Sequence, residues 1–152
     1  MSPSQIAAVL GHPVPAPTVS SSSNSSDGLA GTMTTCLYAH VTSLASFEQE
    51  VGLGYVRLSK APAKSTALAF IKAALKKAQR SKDAKWTYTL DNHFGMTNLY
   101  ATATSTTAAY NFTITFDVAW NGNKVAEAFA FSSLSKVKIY ALEKLAIDNF
   151  GM

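Results

Sequence analysis

The stretch YNFTITFDVAWNGNKVAEAFAF, residues 110–131, constrains the fold more than any other part of the chain. In its first half, large apolar side chains alternate with mostly polar ones, which is the two-residue period of a strand with one buried face. Asn121-Gly122 is typical of a two-residue hairpin turn, which predicts a partner strand with Val118 opposite Val125. Because 47% of the 152 residues are apolar, the chain can enclose a core around such a sheet.

Two other segments have the spacing of helices. In KSTALAFIKAALKKAQRSKDAK, the apolar residues fall within an arc of about 160° and the opposite side carries cations, which predicts an amphipathic helix near 63–82. LSKVKIYALEKLAIDNF predicts a second helix near 134–150, which follows a cap candidate at Ser132-Ser133 and ends at Gly151. The apolar residues of this second helix surround its whole circumference, which favours burial on more than one side.

The amino-terminal part has a different composition. Residues 1–31 contain three closely spaced prolines and the run SSSNSSDG, which predicts a flexible Pro/Ser-rich arm. The runs TMTTCLYAHVTSLA and VGLGYVRL predict a β-hairpin that follows the arm. We therefore expect one α+β domain at 32–152. In it, an antiparallel sheet of three or more strands, with strands near 110–120 and 124–132, packs against two helices.

The charge of the chain is concentrated in one segment. Residues 57–85 carry nine of the thirteen basic residues and one acid, a net charge of +8, whereas the remainder carries −4. A helix whose polar face has cations and no glutamate is typical of a surface that binds a polyanion. A solvated lysine-rich face and a surface for an acidic protein or lipid are the alternatives.

The predicted order of helix, three antiparallel strands and helix resembles the double-stranded-RNA-binding domain over residues 62–150. The stretch FTITFDVAWNGNKVAEAFAFSSLSKVKIYALEKLA is similar to the second strand, hairpin, third strand and lysine-bearing final helix of that family. The resemblance implies phosphate contacts from the start of the last helix and from the exposed face of the first. With the neighbouring cations, the predicted nucleic-acid-binding residues are Lys64, Lys72, Lys76, Lys77, Arg80, Lys82, Lys85, Lys136 and Lys138.

The sequence also departs from that family. The lysine pair at the start of its last helix is replaced by Leu134-Ser135, and the proline and histidine of its strand-connecting loop are missing from STTAA. About fifteen additional residues, 83–97, separate the first helix from the next strand, and they predict an extra strand or an irregular loop. The RNA contacts that the resemblance implies are therefore weakened or changed.

Signals for catalysis are few. Cys36 with His40 could form a catalytic pair, and Asp91 with His93 could form an acid–base pair or half a metal site. A packed thiol and a local turn hydrogen bond are the commoner explanations of such pairs. A base-stacking surface would use the aromatic residues near Lys85, which are Trp86, Tyr88 and Tyr100. We therefore predict a protein that is not an enzyme and has no metal and no cofactor.

The function predicted from the sequence is non-enzymatic binding of structured or double-stranded RNA, in a ribonucleoprotein or a viral context. The alternative is a self-assembling structural protein, such as a viral coat or shell subunit, whose basic face contacts packaged nucleic acid. The expected partners are RNA and further copies of the chain, which would meet through the amino-terminal arm and the last helix. Because the amino terminus lacks the pattern of a signal peptide, the expected location is intracellular or within a viral particle, with no membrane association.

Overall fold

The computed structural model describes residues 1–24, 30–39, 50–62, 69, 76, 80, 84–105 and 113–152. Its helices are α1 (Pro3–Leu10) and α2 (Lys136–Phe150). Its strands are β1 (Thr18–Asn24), β2 (Gly31–Tyr38), β3 (Val51–Leu58), β4 (Ala84–His93), β5 (Met96–Ser105), β6 (Thr113–Asn121) and β7 (Lys124–Ala130). The predicted basic helix near 63–82 lies almost entirely outside the described residues.

The seven strands form one antiparallel sheet in the order β1-β2-β3-β7-β6-β5-β4. It consists of two meanders, β1 to β3 and β4 to β7, in which neighbours along the chain are neighbours in the sheet. The two meanders join where β3 pairs with β7, from Val51 opposite Ala130 to Arg57 opposite Lys124. This junction lies inside the sheet, so each meander supplies one of the two outer strands.

Both described helices lie on one face of the sheet and form a single core with it. Helix α2 contacts β7, β6 and β3, and α1 packs against α2. The inward side chains of β7 are alanines, whose small volume lets the helix approach the strand closely. The buried members of the core that belong to α1, α2, β3 and β7 are Ile6, Leu10, Val51, Leu53, Ala126, Ala128, Ala130, Ile139, Tyr140, Leu142, Ala146 and Ile147.

The predicted flexible arm is wrong in this fold, because its residues form a helix and a strand. Ser2 accepts a hydrogen bond from the Gln5 backbone N–H while the Gln5 side chain accepts one from the Ser2 backbone N–H, which is a capping box. Ile6 and Leu10, four residues apart on α1, are buried against the core. The serine-rich strand β1 is stabilised by seven residue pairs with β2, so tertiary pairing overrides its linker-like composition.

The predicted fold class, an α-β-β-β-α-like sandwich, is contradicted as well. The meander that leads into the last helix has four strands, β4 to β7, rather than three. A second meander, which includes the correctly predicted hairpin of β2 and β3, extends the same sheet. The segment 83–97 supplies strand β4 and the turn that leads into β5. The last helix is confirmed, with Ser135 rather than Ser132-Ser133 as its amino-terminal cap and Gly151 as its carboxy-terminal cap.

The hairpin of β6 and β7 is confirmed, but its register differs from the prediction by two residues. Val125 lies opposite Trp120 instead of Val118, and the two-residue turn is Gly122-Asn123. Gly122 has a φ of 59°, which suits the first central position of such a turn. The Asn123 side chain donates a hydrogen bond to the Leu58 carbonyl oxygen at 3.1 Å, so contact with β3 holds the turn in this register.

The alternating pattern of β6 also faces the opposite way from the one expected. Thr115, Asp117 and Ala119, the polar or small set, face α2 and are fully buried. Phe116 and Val118 point to the other face and are half-buried. Neither described helix is long and apolar enough to cross a membrane.

Candidate functional site

A cleft of about 460 Å³ opens between the β4–β5 turn and the outer side of α2. His93 and Phe94 of the turn form one wall, and the helix contributes the other. Val137 at the mouth has 79% of its surface exposed, which is unusual for a large aliphatic side chain in a first helical turn. The helical lining residues are Val137, Tyr140, Ala141 and Lys144.

The β4–β5 turn has an unusual backbone. His93 lies opposite Met96, so Phe94 and Gly95 form a two-residue turn, and both have positive φ values, 55° and 72°. Positive φ at both central positions defines a type I′ turn, which asparagine and glycine normally occupy. Phe94 is the only residue other than glycine with a positive φ in the described part of the chain. This conformation is strained for a bulky residue, so the surrounding structure must hold Phe94 in place.

The Phe94 ring belongs to an aromatic cluster that borders the cleft. The ring centroids of His93 and Tyr140 are 4.3 Å apart, and those of Phe94 and Tyr140 are 6.3 Å apart with an edge-to-face geometry. Tyr100 of β5 meets Tyr140 from the other side at 6.2 Å. The Lys136 Nζ lies 5.3 and 5.2 Å from the ring centroids of Tyr100 and Tyr140, within the range of a cation–π interaction. The cluster therefore holds Tyr140 from three sides.

A buried polar network lies beneath this wall. The Asn98 side chain accepts a hydrogen bond from the His93 backbone N–H at 3.1 Å and donates one to Glu143 Oε2 at 2.8 Å. Its amide nitrogen also lies 3.5 Å from Asp117 Oδ2. All three side chains are fully buried on β5, β6 and α2. The network thus ties the turn that carries Phe94 to the helix that carries Tyr140.

The carboxyl group of Glu143 is held in its neutral form. Its pKa is raised from 4.5 to about 10, most of all by burial, and next by the hydrogen bond to Asp117 and the negative charge of Asp117. Hydrogen bonds from Asn98 and the Ala119 backbone offset part of this effect. Two carboxylates in contact away from water cannot both ionise, so Glu143 keeps its proton and shares it with Asp117.

The pair of carboxyl groups is closed off from the cleft and from solvent. Glu143 and Asp117 have no exposed surface through which a substrate could reach them. Beyond the proton that the two carboxyl groups share, no group in the described part of the chain forms a hydrogen bond with Glu143 Oε1 or Asp117 Oδ1, which makes the pair costly to maintain. No group of three or more His, Cys, Asp or Glu side chains among the described residues is placed to hold a metal ion.

Four of the nine predicted nucleic-acid-binding residues lie outside the described part of the chain, so the predicted surface as a whole stays a prediction. These four are Lys64, Lys72, Lys77 and Lys82. Lys76 and Arg80 are exposed, and Lys85 is exposed on β4 at an outer edge of the sheet.

The two lysines predicted at the start of the last helix are used within the domain. The Lys138 Nζ donates a hydrogen bond to the Leu10 carbonyl oxygen at 2.7 Å, at the carboxyl end of α1, where a cation is favourable. Lys136 lies over the tyrosine rings of the aromatic cluster. Both cations therefore stabilise contacts of this fold.

Other residues considered in the sequence have separate positions. His93 and Tyr100 meet at Tyr140, whereas Trp86 packs edge-to-face on Phe116 on the other face of the sheet. Cys36 is a half-buried free thiol on β2, and His40 lies outside the described residues.

Sequence reasoning missed Phe94, Tyr140 and Glu143. The only sequence signal for Phe94 was the Phe-Gly pair between two strand-like runs, where the first turn residue departs from the usual asparagine. Glu143 lies one residue after Leu142 and two before Leu145 on a helix without a continuous polar face, which could have indicated a buried acid. Nothing in the sequence placed it next to Asp117.

The fold has a known counterpart. The chain is similar to the extracellular domain of PknH from Mycobacterium tuberculosis, with a TM-score of 0.66 and 14% sequence identity over 99% of this chain and 92% of that one. No family model and no curated protein matches the chain. The suspected membership of the double-stranded-RNA-binding family therefore stays a prediction from the quoted residues alone.

This similarity contradicts two predictions. The predicted function, RNA binding or a viral coat role, rested on the basic segment 57–85 and on the resemblance to an α-β-β-β-α domain. The solved structure that the chain matches in fold is instead the extracellular domain of PknH, which is neither an RNA-binding nor a viral protein. The predicted intracellular or virion location is contradicted by the same finding. The prediction that the chain is not an enzyme, and the predicted partners, stay untested.

Proposed function

We propose that the chain is an extracellular binding domain without catalytic activity, which binds a small aromatic ligand in the cleft between the β4–β5 turn and α2. The observation that carries this proposal is the aromatic wall of the cleft, built on Phe94 in a conformation that its residue type disfavours. A volume of about 460 Å³ is in the range of small-molecule sites. The extracellular placement rests on the similarity in fold to the PknH domain.

The chemistry of the lining indicates the kind of ligand. The rings of His93, Phe94 and Tyr140 present flat apolar faces and polarised edges, on which another ring can stack or meet edge-to-face. Val137 and Ala141 add aliphatic surface. Burying such a surface on a ligand is favourable by roughly 25 cal/mol per Å².

The test is a ¹⁵N-¹H NMR titration of the whole chain with two aromatic probes, indole and 4-methylphenol. Cyclohexanol is the non-aromatic control. We expect the aromatic probes to shift the amide signals of Phe94, Gly95 and Ala141. Ala141→Trp, which fills the cleft, should abolish those shifts. Ala16→Trp, at an exposed position outside the cleft, should leave them unchanged. Shifts that persist in Ala141→Trp, or that map elsewhere, would remove the cleft as the binding site.

A further inference from the structure

A second cavity, of about 530 Å³, lies at the far end of α2 from the cleft, where the ends of β1, β2 and β3 meet the β6–β7 turn. Its lining residues include three with hydroxyl groups, Ser23, Thr32 and Ser59, and the cationic Arg57, and none of them is acidic. Its frame is held by backbone hydrogen bonds of 2.8 Å, from Leu58 to Asn123 and from Ser59 to Ala30. The cavity is therefore a polar basin with a fixed rim.

Arg57 is the cation among the described residues that line this basin, and its cross-strand neighbour is a cation too. Arg57 of β3 lies directly opposite Lys124 of β7, and like charges in directly opposed positions of a sheet destabilise it. The Lys124 Nζ donates a hydrogen bond of 2.6 Å to the Gly151 carbonyl oxygen, so the partial negative charge at the carboxyl end of α2 compensates the charge of Lys124. The Arg57 side chain is exposed and makes no ion pair or hydrogen bond within the described part of the chain. Lys60, three residues further on, is exposed as well.

We infer that the basin binds a small molecule with an oxyanion group, either a phosphate or a carboxylate, on a hydroxylated body. The guanidinium supplies parallel N–H donors that match the geometry of both oxyanions. The three hydroxyl groups can donate to the anion or accept from hydroxyl groups of the ligand. Sugar phosphates and uronic acids have this chemistry and fit the volume of the cavity. The site is separate from the aromatic cleft, and neither proposal depends on the other.

The experiment is an NMR titration at constant ionic strength, balanced with NaCl, using inorganic phosphate, D-glucuronate and the neutral sugar D-glucose. We expect phosphate, D-glucuronate or both to shift the amide signals of Gly31, Ser59 and Asn123, and the anion that does so identifies the preferred group. Glucose should produce smaller shifts or none.

Two variants test the role of the guanidinium. Arg57→Gln should weaken binding at least tenfold, whereas the matched control Arg80→Gln, at another exposed arginine, should stay within twofold of the unmodified chain. Thr32→Glu places a carboxylate beside Arg57. This carboxylate should abolish binding, because it pairs with the guanidinium in place of the ligand. The inference is overturned if phosphate and glucuronate shift these signals no more than chloride does, or if Arg57→Gln binds as well as the unmodified chain.

Discussion

Glu143 lies on the side of α2 that faces the sheet, fully buried against Asp117 and Asn98. The burial of Glu143 against Asp117 could not be read from its position in the sequence. Glu143 is buried in its protonated form. In the unfolded chain the same carboxyl group loses its proton once the pH exceeds its ordinary pKa of 4.5. Removal of one partner from such a pair leaves the other buried and unpaired, so the pair is costly to form and also costly to break.

This leads to a prediction on pH. The folded-state pKa of Glu143 lies above the unfolded value, about 10 against 4.5, so its contribution to stability is fully present below pH 4.5 and is lost as the pH rises toward 10. The loss has a limiting slope of about 1.4 kcal/mol per pH unit. Glu143→Gln should remove this slope, so the variant gains stability relative to the unmodified chain between pH 5 and pH 9. Urea unfolding of both proteins at several pH values measures the difference, and parallel curves would contradict the assignment.

Phe94 provides a second prediction at the scale of a residue. Asparagine adopts the positive φ of a type I′ turn more readily than phenylalanine, so Phe94→Asn should keep the stability of the domain or raise it by up to about 1 kcal/mol. The same change removes the ring from the cleft and should weaken binding of indole several-fold. Urea unfolding and NMR titration check the two effects separately. A loss of stability without a loss of binding would mean that the ring serves packing alone.

At the scale of an element, the packing of β3 against β7 explains the two glycines of β3, Gly52 and Gly54. Each faces a side chain of the neighbouring strand β7 that lies across it. A methyl group at Gly52 would overlap the ring of Phe129, and one at Gly54 would overlap the side chain of Glu127. The Phe129 ring also packs edge-to-face on Phe131 at 5.7 Å, so it has little freedom to move aside. The glycines are required by close packing between strands and not by turns.

We therefore expect Gly52→Ala to destabilise the domain by about 1 to 2 kcal/mol, because the added methyl group displaces the Phe129 ring. In a Phe129→Ala background the same change should cost almost nothing or stabilise the strand slightly. Urea unfolding of the four proteins gives the coupling between the two positions. An equal cost in both backgrounds would show that the backbone of β3, and not the ring, opposes the methyl group.

For the whole molecule, the central question is whether the two meanders behave as one unit. They meet along the β3–β7 pair, and α2 packs across the strands on both sides of this junction. Helix α1 is part of the same core. A shared core and a shared sheet predict a single cooperative transition.

Two probes can test this prediction. Trp86 and Trp120 report on the β4–β7 meander through fluorescence, and the half-buried thiol of Cys36 reports on β2 through its reactivity. We expect both signals to change at the same urea concentration. Exposure of Cys36 at a clearly lower concentration would show that the β1–β3 meander opens on its own.

The sequence alone determined the local elements with clear periodicity. Alternation and Gly122 placed the β6–β7 hairpin, and the apolar run before Gly151 placed α2, because strand and helix periods are properties of neighbouring residues. The absence of a polar face on α2 correctly indicated a helix buried on more than one side, since it contacts both the sheet and α1.

Only the tertiary structure decided the rest. The strand order, the pairing of β1, the face of β6 that meets α2 and the contact of Asp117 with Glu143 all depend on residues far apart in the chain. The apolar alternation of β6 was correct as a pattern, but a helix packs most closely on the small side chains of the opposite set. A local sequence pattern indicates which faces of a segment are able to be buried. Which surface buries it is decided by the free energy of packing summed over the whole core.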